Sequence, residues 1–381
     1  MLRTRILQSA AEFRSIEPLW RELANSSPTT IFQSFAWNRL AAEYFAYKEA
    51  PFVVCCESGG GEAIVPAVLR GDGSLGLIGE ELFDYRDVLH AGDDDALRCA
   101  WQRLAGLRRP FSLVALRGEQ SRGRWRRTQL QPFAAAPCLR LQDLCITPPL
   151  ASHATRADTE EQLRSASELA VVPGAMQPVR GATFVNEQCR DKFLGAHSRL
   201  RRHARRLADR GVVLRRYAGG ERELVRFIYE SKGRQSVTRE NLFQEQSRRE
   251  FIIRIAAEEE SHCEVFTYEA GSHLVAAMVT FRGDRVRHFY TTYYDTHWAD
   301  LSPGQLLLFE TSAISLAEGL ECDYMTGESL FKNRLATSRV PLWRVEVPAE
   351  ELPLAFASEK EAPGEPVADS AITAEHWPRS A

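Results

Sequence analysis

Missing from this sequence are a long apolar run, a paired-cysteine motif and an excess of either charge. No stretch approaches the roughly 20 apolar residues that a membrane helix needs, so a helical span is excluded. Met1–Phe13 carries arginines but no apolar core of a secretory signal; a cytoplasmic protein is the expectation. The eight cysteines (Cys55, Cys56, Cys99, Cys138, Cys145, Cys189, Cys263 and Cys322) include no Cys-x-x-Cys pair and have no His at zinc-ligand spacing. Neither disulfides nor a metal is expected, and the adjacent Cys55 and Cys56 should point to opposite faces of a strand. Lys and Arg number 48 against 51 Asp and Glu, a net charge of −3 over 381 residues, so any attraction to nucleic acid or membrane must be local.

The content is that of a globular protein, 44% apolar and 26% charged. Ile6–Ala24 reads as a short strand or turn leading into a helix, and Thr30–Tyr47 as a polar-capped helix with an aromatic face. Strands follow at Phe52–Glu57, Ala63–Arg70 and Leu75–Ile78, then irregular chain from Glu80 to Leu89, a helix over Asp93–Leu107 and a strand at Phe111–Leu116. Gly59-Gly60-Gly61 sits between two strands, where a hairpin turn outweighs a phosphate loop. Pro137–Leu141 reads as a further strand and Thr159–Leu169 as a short helix. Asp143–Gly181 is loose and proline-punctuated.

The second part repeats the order. A basic segment, Arg190–Arg216, holds ten Lys or Arg against two Asp and contains a helix closed by Gly211. A strand at Val212–Tyr217, helices at Glu221–Lys232 and Phe251–Glu260, and strands at Cys263–Glu269, Leu274–Arg282 and Arg285–Asp295 come next. A helix opening at Leu301-Ser302-Pro303-Gly304 and stopping at Gly319 then leads to a last strand, Cys322–Thr326. Two diverged copies of one mixed α/β unit account for this repetition. Glu359–Ala381 has too few large apolar residues to pack and reads as a disordered tail.

Four features bear on chemistry. Ser302–Gln305 is a helix start entered from a strand, which suits either plain helix initiation or the binding of an anion by free N–H groups and the helix dipole. In the strand Arg285–Asp295, strict alternation would put Val286, His288, Tyr290, Thr292 and Tyr294 on one face and Arg287, Phe289, Thr291 and Tyr293 on the other. Its tyrosines could meet a ligand or simply follow β-propensity. Asp323 falls inside an apolar strand, where a carboxylate needs a partner. It suits a general base, an orienting group or an acceptor for backbone N–H groups, with Glu328 and Lys332 close behind. The arginine-rich helix at 198–210 is either a solvated face or a contact for an anionic ligand.

Several separated motifs resemble the CelD-like (cellulose-biosynthesis-type) branch of the GNAT acyltransferases, related to the FemAB-type aminoacyl transferases. Phe32-Gln33-Ser34 with Trp37 is similar to that family's early signature. Gly79–Leu89, with Asp84-Tyr85 and Asp87, resembles a second motif, although Phe83 replaces a small residue. Ser198–Gly211 resembles its basic helix, and Ser302-Pro303-Gly304, Gly319, Asp323, Gly327 and Lys332 follow its C-terminal order, with Phe331 where the family has Tyr. The resemblance covers most of Ile31–Val347.

The resemblance implies a mixed α/β (α+β) fold of tandem GNAT-like domains, each a mainly antiparallel sheet flanked by helices. The expected boundaries are an N-terminal domain over 1–142, a linker or insertion over 143–186, a C-terminal acyltransferase domain over 187–350 and a tail over 351–381. It also implies acetyl-CoA or another acyl-CoA as co-substrate, no metal, and a donor site at Thr292, Tyr293, Ser302, Pro303, Gly304 and Gln305. Asp323, Glu328 and Tyr290 are then the catalytic candidates, and Asp84, Tyr85 and Lys332 the acceptor-binding ones. The implied acceptor is an amine or hydroxyl of a sugar or envelope-polysaccharide precursor. Two alternatives stay open: aminoacyl transfer from tRNA to a peptidoglycan-type precursor, with the basic helix on RNA, and a non-catalytic scaffold of envelope biosynthesis.

Overall fold

The computed structural model describes residues 2–26, 29–79, 81–117, 119–121, 124–126, 177–185, 198–235, 241–326, 336, 338–347 and 349. The N-terminal half runs β1 (Arg3–Leu7), α1 (Ala10–Arg14), α2 (Glu17–Ser26), α3 (Phe35–Tyr44), β2 (Glu49–Glu57), β3 (Gly61–Arg70), β4 (Leu75–Leu77), β5 (Leu89–Gly92), α4 (Asp94–Ala105) and β6 (Phe111–Arg117). A small hairpin, β7 (Glu119–Ser121) and β8 (Arg124–Arg126), and β9 (Gln177–Val185) follow. The C-terminal half runs α5 (Ser198–Asp209), β10 (Val212–Ala218), α6 (Arg222–Gln235), α7 (Gln246–Ala256), β11 (Cys263–Ala270), β12 (His273–Arg282), β13 (Val286–Tyr294), α8 (Pro303–Ala317) and β14 (Glu321–Asp323), and β15 (Ser338–Val347) comes last.

The two halves share one plan. In each, four strands pair antiparallel (β1 to β4; β10 to β13), and a helix crosses to a strand parallel to the fourth, β6 beside β4 and β14 beside β13. Even the 3-10 turns match, Ile31–Gln33 before α3 and Leu242–Gln244 before α7. The repeated mixed α/β unit expected from the sequence is therefore present.

What the sequence did not reveal is the seam. Apart from the β7–β8 hairpin, the described strands form a single sheet in the order β1-β2-β3-β4-β6-β15-β9-β14-β13-β12-β11-β10, with β5 on the side of β3. β15, from the end of the chain, pairs with β6 of the N-terminal half, and β9, from between the halves, pairs with β14 of the C-terminal half. The halves thus exchange their sixth strands, and β9 with β15 closes the join. β9 lies inside the span expected as linker, and β15 was not anticipated. Each carries proline (Pro178, Pro341), which weakens a strand signal. Pro137–Leu141, Thr159–Leu169 and the tail lie outside the described residues.

A second join is apolar. α3 packs on α7, and Trp37 meets Phe32, Phe83, Phe251, Phe281 and Tyr290 with ring centroids 4.9–5.7 Å apart. One core cluster therefore spans both halves on this face, while α4 and α8 cover separate clusters. Cys55 belongs to the shared cluster and its neighbour Cys56 to the one under α4, as alternation requires. The described cysteines are free. Among the described residues no helix is long and apolar enough to cross a membrane.

Candidate active site

β13 and β14 pair for only three residues, Val286, Arg287 and His288 against Glu321, Cys322 and Asp323, and then part. Met325 has left-handed backbone, φ 62°, which a non-glycine residue adopts only with local support. That support is Asp323 Oδ1, which accepts the Met325 N–H at 2.8 Å. The turn leads the chain away from β13.

On its other edge β13 carries a bulge. Val279 faces Thr291 but Thr280 faces Phe289, so Tyr290 is the extra residue. The bulge changes the phase of the strand, as one inserted residue must. Before it, Arg287 and Phe289 point toward α8. After it, Thr292 meets Met278 and Tyr294 lies beside Gly304 on that same face, while Thr291 bonds Tyr229 of α6 and Tyr293 faces Phe227. The strict alternation read from the sequence fails from this point.

A cavity of about 600 Å³ fills the gap between the parted strands. Its walls are Phe289–Thr292 and Tyr294 of β13, Ser302–Gln305 and Leu308 at the start of α8, Tyr324, Lys232, Leu242 and Phe243, with Ala299 at one side. Glu81, Leu82 and Asp84 of the N-terminal half complete it.

The start of α8 is open. Ser302 sits at φ 49° and gives no side-chain cap. Pro303 has no N–H, and Leu306 N–H makes the first helical bond, to the Ser302 carbonyl at 3.1 Å. The amides of Gly304 and Gln305 are thus left without helical acceptors at the positive end of a 15-residue helix. A Cβ on Gly304 would stand 3.3 Å from Thr292 Cγ2 and from Tyr294 Cδ1, so glycine lets this turn lie against β13. Two amides, an unblocked dipole and a close-packed strand edge make a cradle for a phosphate group beside an extended chain.

Of the residues proposed from sequence, Tyr290, Thr292, Ser302, Pro303, Gly304, Gln305 and Asp84 line the cavity. Tyr293 does not, because the bulge turns its ring to the α6 side. Glu328 and Lys332 lie outside the described residues. Tyr290 bridges the halves, its hydroxyl donating to the Leu82 carbonyl at 2.9 Å.

Asp323 and Tyr85 lie behind the wall rather than in it. Asp323 is 0% exposed. Besides the Met325 N–H, its Oδ1 accepts the Tyr85 hydroxyl at 2.7 Å, and His288 Nδ1 stands 3.3 Å from Oδ2. A carboxylate so enclosed cannot touch a molecule in the cavity, so the geometry gives Asp323 a positioning role. The segment it holds is gripped from the other end by Gln33, whose Nε2 donates to the Tyr85 carbonyl at 3.1 Å. Three distant motifs, Phe32–Trp37, Gly79–Leu89 and Asp323, therefore form one buried chain of contacts. Asp84, next to Tyr85, reaches the cavity and accepts the Thr326 hydroxyl.

Lys232 was missed. Its Nζ donates to the Thr292 carbonyl at 3.0 Å and lies 6.0 Å from the Phe243 ring centroid. Burial lowers its pKa, because a desolvated ammonium is disfavoured. Its sequence position, near the end of an amphipathic helix, carries no sign of this; only the packing of α6 on β13 creates it. Burial likewise raises the Tyr324 hydroxyl far above its usual range, with Ser312 Oγ 2.8 Å away.

Residues 195–333 match the family model described as acetyltransferase (GNAT) domain. This region has a GNAT-type acyltransferase fold. A conserved protein of unknown function from Bacteroides thetaiotaomicron VPI-5482 is similar over 91% of this chain and 100% of its own, at 10% identity and a TM-score of 0.51, a likeness of fold alone. A tandem GNAT protein from the clavulanic acid biosynthesis pathway aligns over 91% of this chain and 98% of its own (13% identity, TM-score 0.45). FemX aligns over 90% and 96% (8% identity, TM-score 0.45). At those scores neither likeness bears on activity. No curated protein matches the chain.

Proposed function

We propose that this protein is an acyltransferase that moves an acyl group from acetyl-CoA or another acyl-CoA to an amine or hydroxyl of a saccharide acceptor. The observation that carries the reading is the parting of β13 from β14 over a cavity bounded by the open start of α8. The pyrophosphate of the donor fits the Gly304 and Gln305 amides, and its pantetheine arm fits the edge of β13 from Tyr294 toward Tyr290. Backbone amides of β13 around Thr291–Tyr294 polarise the thioester carbonyl, as preorganised dipoles do where charge develops.

The acceptor enters from the side formed by the N-terminal half. Its nitrogen or oxygen attacks the carbonyl carbon, the C–S bond breaks, the acceptor's proton passes to a carboxylate and the departing thiolate takes up a proton. Asp84 is the carboxylate assigned to that proton, and Glu81 shares the wall. Asp323 positions Tyr85 and through it Asp84. Glu328 is a second proton acceptor under this reading, and Lys332 a contact for an anionic part of the acceptor. The saccharide and its place in envelope-polysaccharide assembly rest on the family resemblance of the motifs.

Incubation with acetyl-CoA and a panel of amino and hydroxyl sugars tests the reading. Acceptor-dependent release of free thiol is expected; none from any acyl-CoA, with no acyl-CoA binding, would leave the scaffold alternative. A second reading, an aminoacyl-tRNA donor, draws on the exposed arginines of α5. Transfer that needs charged tRNA and stops on nuclease treatment would establish it instead.

A further inference from the structure

The arginine-rich helix α5 is not an isolated charged face. His203 is buried, and its Nδ1 donates to the Leu301 carbonyl at 3.0 Å. Arg210, just past the helix, lies 3.8 Å from Asp300 and with its guanidinium 5.9 Å from the Trp298 ring centroid. α5 is therefore pinned along the 3-10 turn Thr296–Leu301, which runs directly into α8. Gly304 is three residues beyond Leu301, at most about 11 Å of Cα path.

Arg202, Arg206 and Arg210 stand at four-residue spacing and so share one flank of the helix. The contacts of Arg210 show that this flank borders the 3-10 turn. Among the described residues, the acid paired on this flank is Asp300, at its far end. Arg202 and Arg206 are exposed, and among the described residues neither makes an ion pair. Two uncompensated guanidinium groups thus lie beside the segment that ends in the two open amides of α8.

We infer that Arg202 and Arg206 bind the ribose 3′-phosphate of the acyl-CoA donor. This rests on the proposed function. A pyrophosphate at Gly304 and Gln305 leaves the donor's ribose outside the cavity, one sugar away, and its phosphate dianion is the remaining group for which guanidinium is the matching partner. Asp300 draws charge from Arg210, so the phosphate falls at Arg202 and Arg206. Arginines serving solvation alone would show no preference for that phosphate.

The test is calorimetric titration of the full chain with acetyl-CoA and with its 3′-dephospho form. The wild type is expected to bind acetyl-CoA about tenfold or more tightly than the dephospho form, the scale of charge-assisted hydrogen bonds. In Arg202→Ala/Arg206→Ala the preference should vanish, with affinity for the dephospho form unchanged. Both residues are exposed, so circular dichroism and melting should match the wild type. Equal affinities in the wild type, or a preference kept in the variant, would overturn the inference and leave the proposed function standing. Binding of neither compound would overturn both. Displacement of acetyl-CoA by uncharged tRNA, dependent on these arginines and without a 3′-phosphate preference, would assign them to RNA.

Discussion

Helices α4 and α8 occupy the same place in the two halves, each crossing from a fourth strand to the strand parallel to it, yet their first turns are built for opposite ends. At α4, Asp93 caps its own helix: its side chain accepts the Asp95 N–H at 3.1 Å and the Ser58 hydroxyl at 2.9 Å. Asp95 follows in the first turn, adding negative charge at the end where an anion would have to sit. The glycine turn of the β2–β3 hairpin covers what remains; Asp93 N–H donates to the Gly60 carbonyl, and a Cβ on Gly61 would stand 2.6–2.7 Å from Asp93 backbone atoms. At α8 there is no acid in the first turn, no side-chain cap and no covering hairpin strand, and a cavity faces the free amides. One topology thus supplies two helix ends, and a few first-turn residues decide which is left for a ligand.

The loops before these helices differ as sharply. The C-terminal half uses the short turn Thr296–Leu301, against which α5 docks. The N-terminal half uses residues 78–92, of which Leu82, Asp84 and Tyr85 reach the other half and contribute to the site and its support before β5 returns to β3. The closed half has become a wall for the open one.

Gly304→Val should have the largest effect. It drives a branched side chain into Thr292 and Tyr294 and moves the α8 start off β13. A displacement of that kind lowers kcat/KM by about 100-fold, measured as thiol release, while the melting temperature falls by only a few degrees. Next is Asp323→Ala, which removes the acceptor for the Tyr85 hydroxyl and the Met325 N–H and so unties the Tyr85 segment of the N-terminal half from β14. A loss of about 2–3 kcal/mol in urea unfolding is expected. Lys232→Met is the mildest. The folded-state pKa of Lys232 lies below its ordinary 10.5, so between that lowered value and 10.5 the unfolded chain binds more protons and stability rises with pH. The melting temperature of the wild type should therefore gain on that of the variant, by a few degrees at most, as pH rises through this window. A constant difference would show that Lys232 is not desolvated.

Much of the plan was legible in the residues. Turn glycines, the apolar runs of β2 and β3 and the Ser-Pro-Gly start of α8 each act locally, so their signals survive in the sequence. The exchanged strands β9 and β15 did not, because a strand at a seam takes its stability from partners far along the chain, Arg117 to Phe111 for one and Cys322 and Asp323 for the other. The β13 bulge was hidden for a related reason. The run Tyr290-Thr291-Thr292-Tyr293-Tyr294 satisfies strand propensity in either phase, and only the register against Val279 and Thr280 shows where the phase changes. For the site, the α8 start and Asp84 were within reach, whereas Lys232 needed the packing of α6. Asp323 reads from sequence as a general base, an orienting group or a backbone acceptor alike, and its place behind the wall follows only from Tyr85, 238 residues away in sequence.

The most direct test of the central claim, that the donor's pyrophosphate sits on the open helix end and not on its closed counterpart, is titration calorimetry with acetyl-CoA on three proteins. The wild type should bind one molecule per chain. Gln305→Asp, which gives α8 a first-turn acid like that of α4, should weaken binding about tenfold or more, given that charge beside a bound phosphate acts at short range. Asp93→Ala should cost about 1 kcal/mol of stability as a lost cap and leave binding unchanged. Two molecules bound per chain, or affinity that responds to Asp93 and not to Gln305, would contradict it.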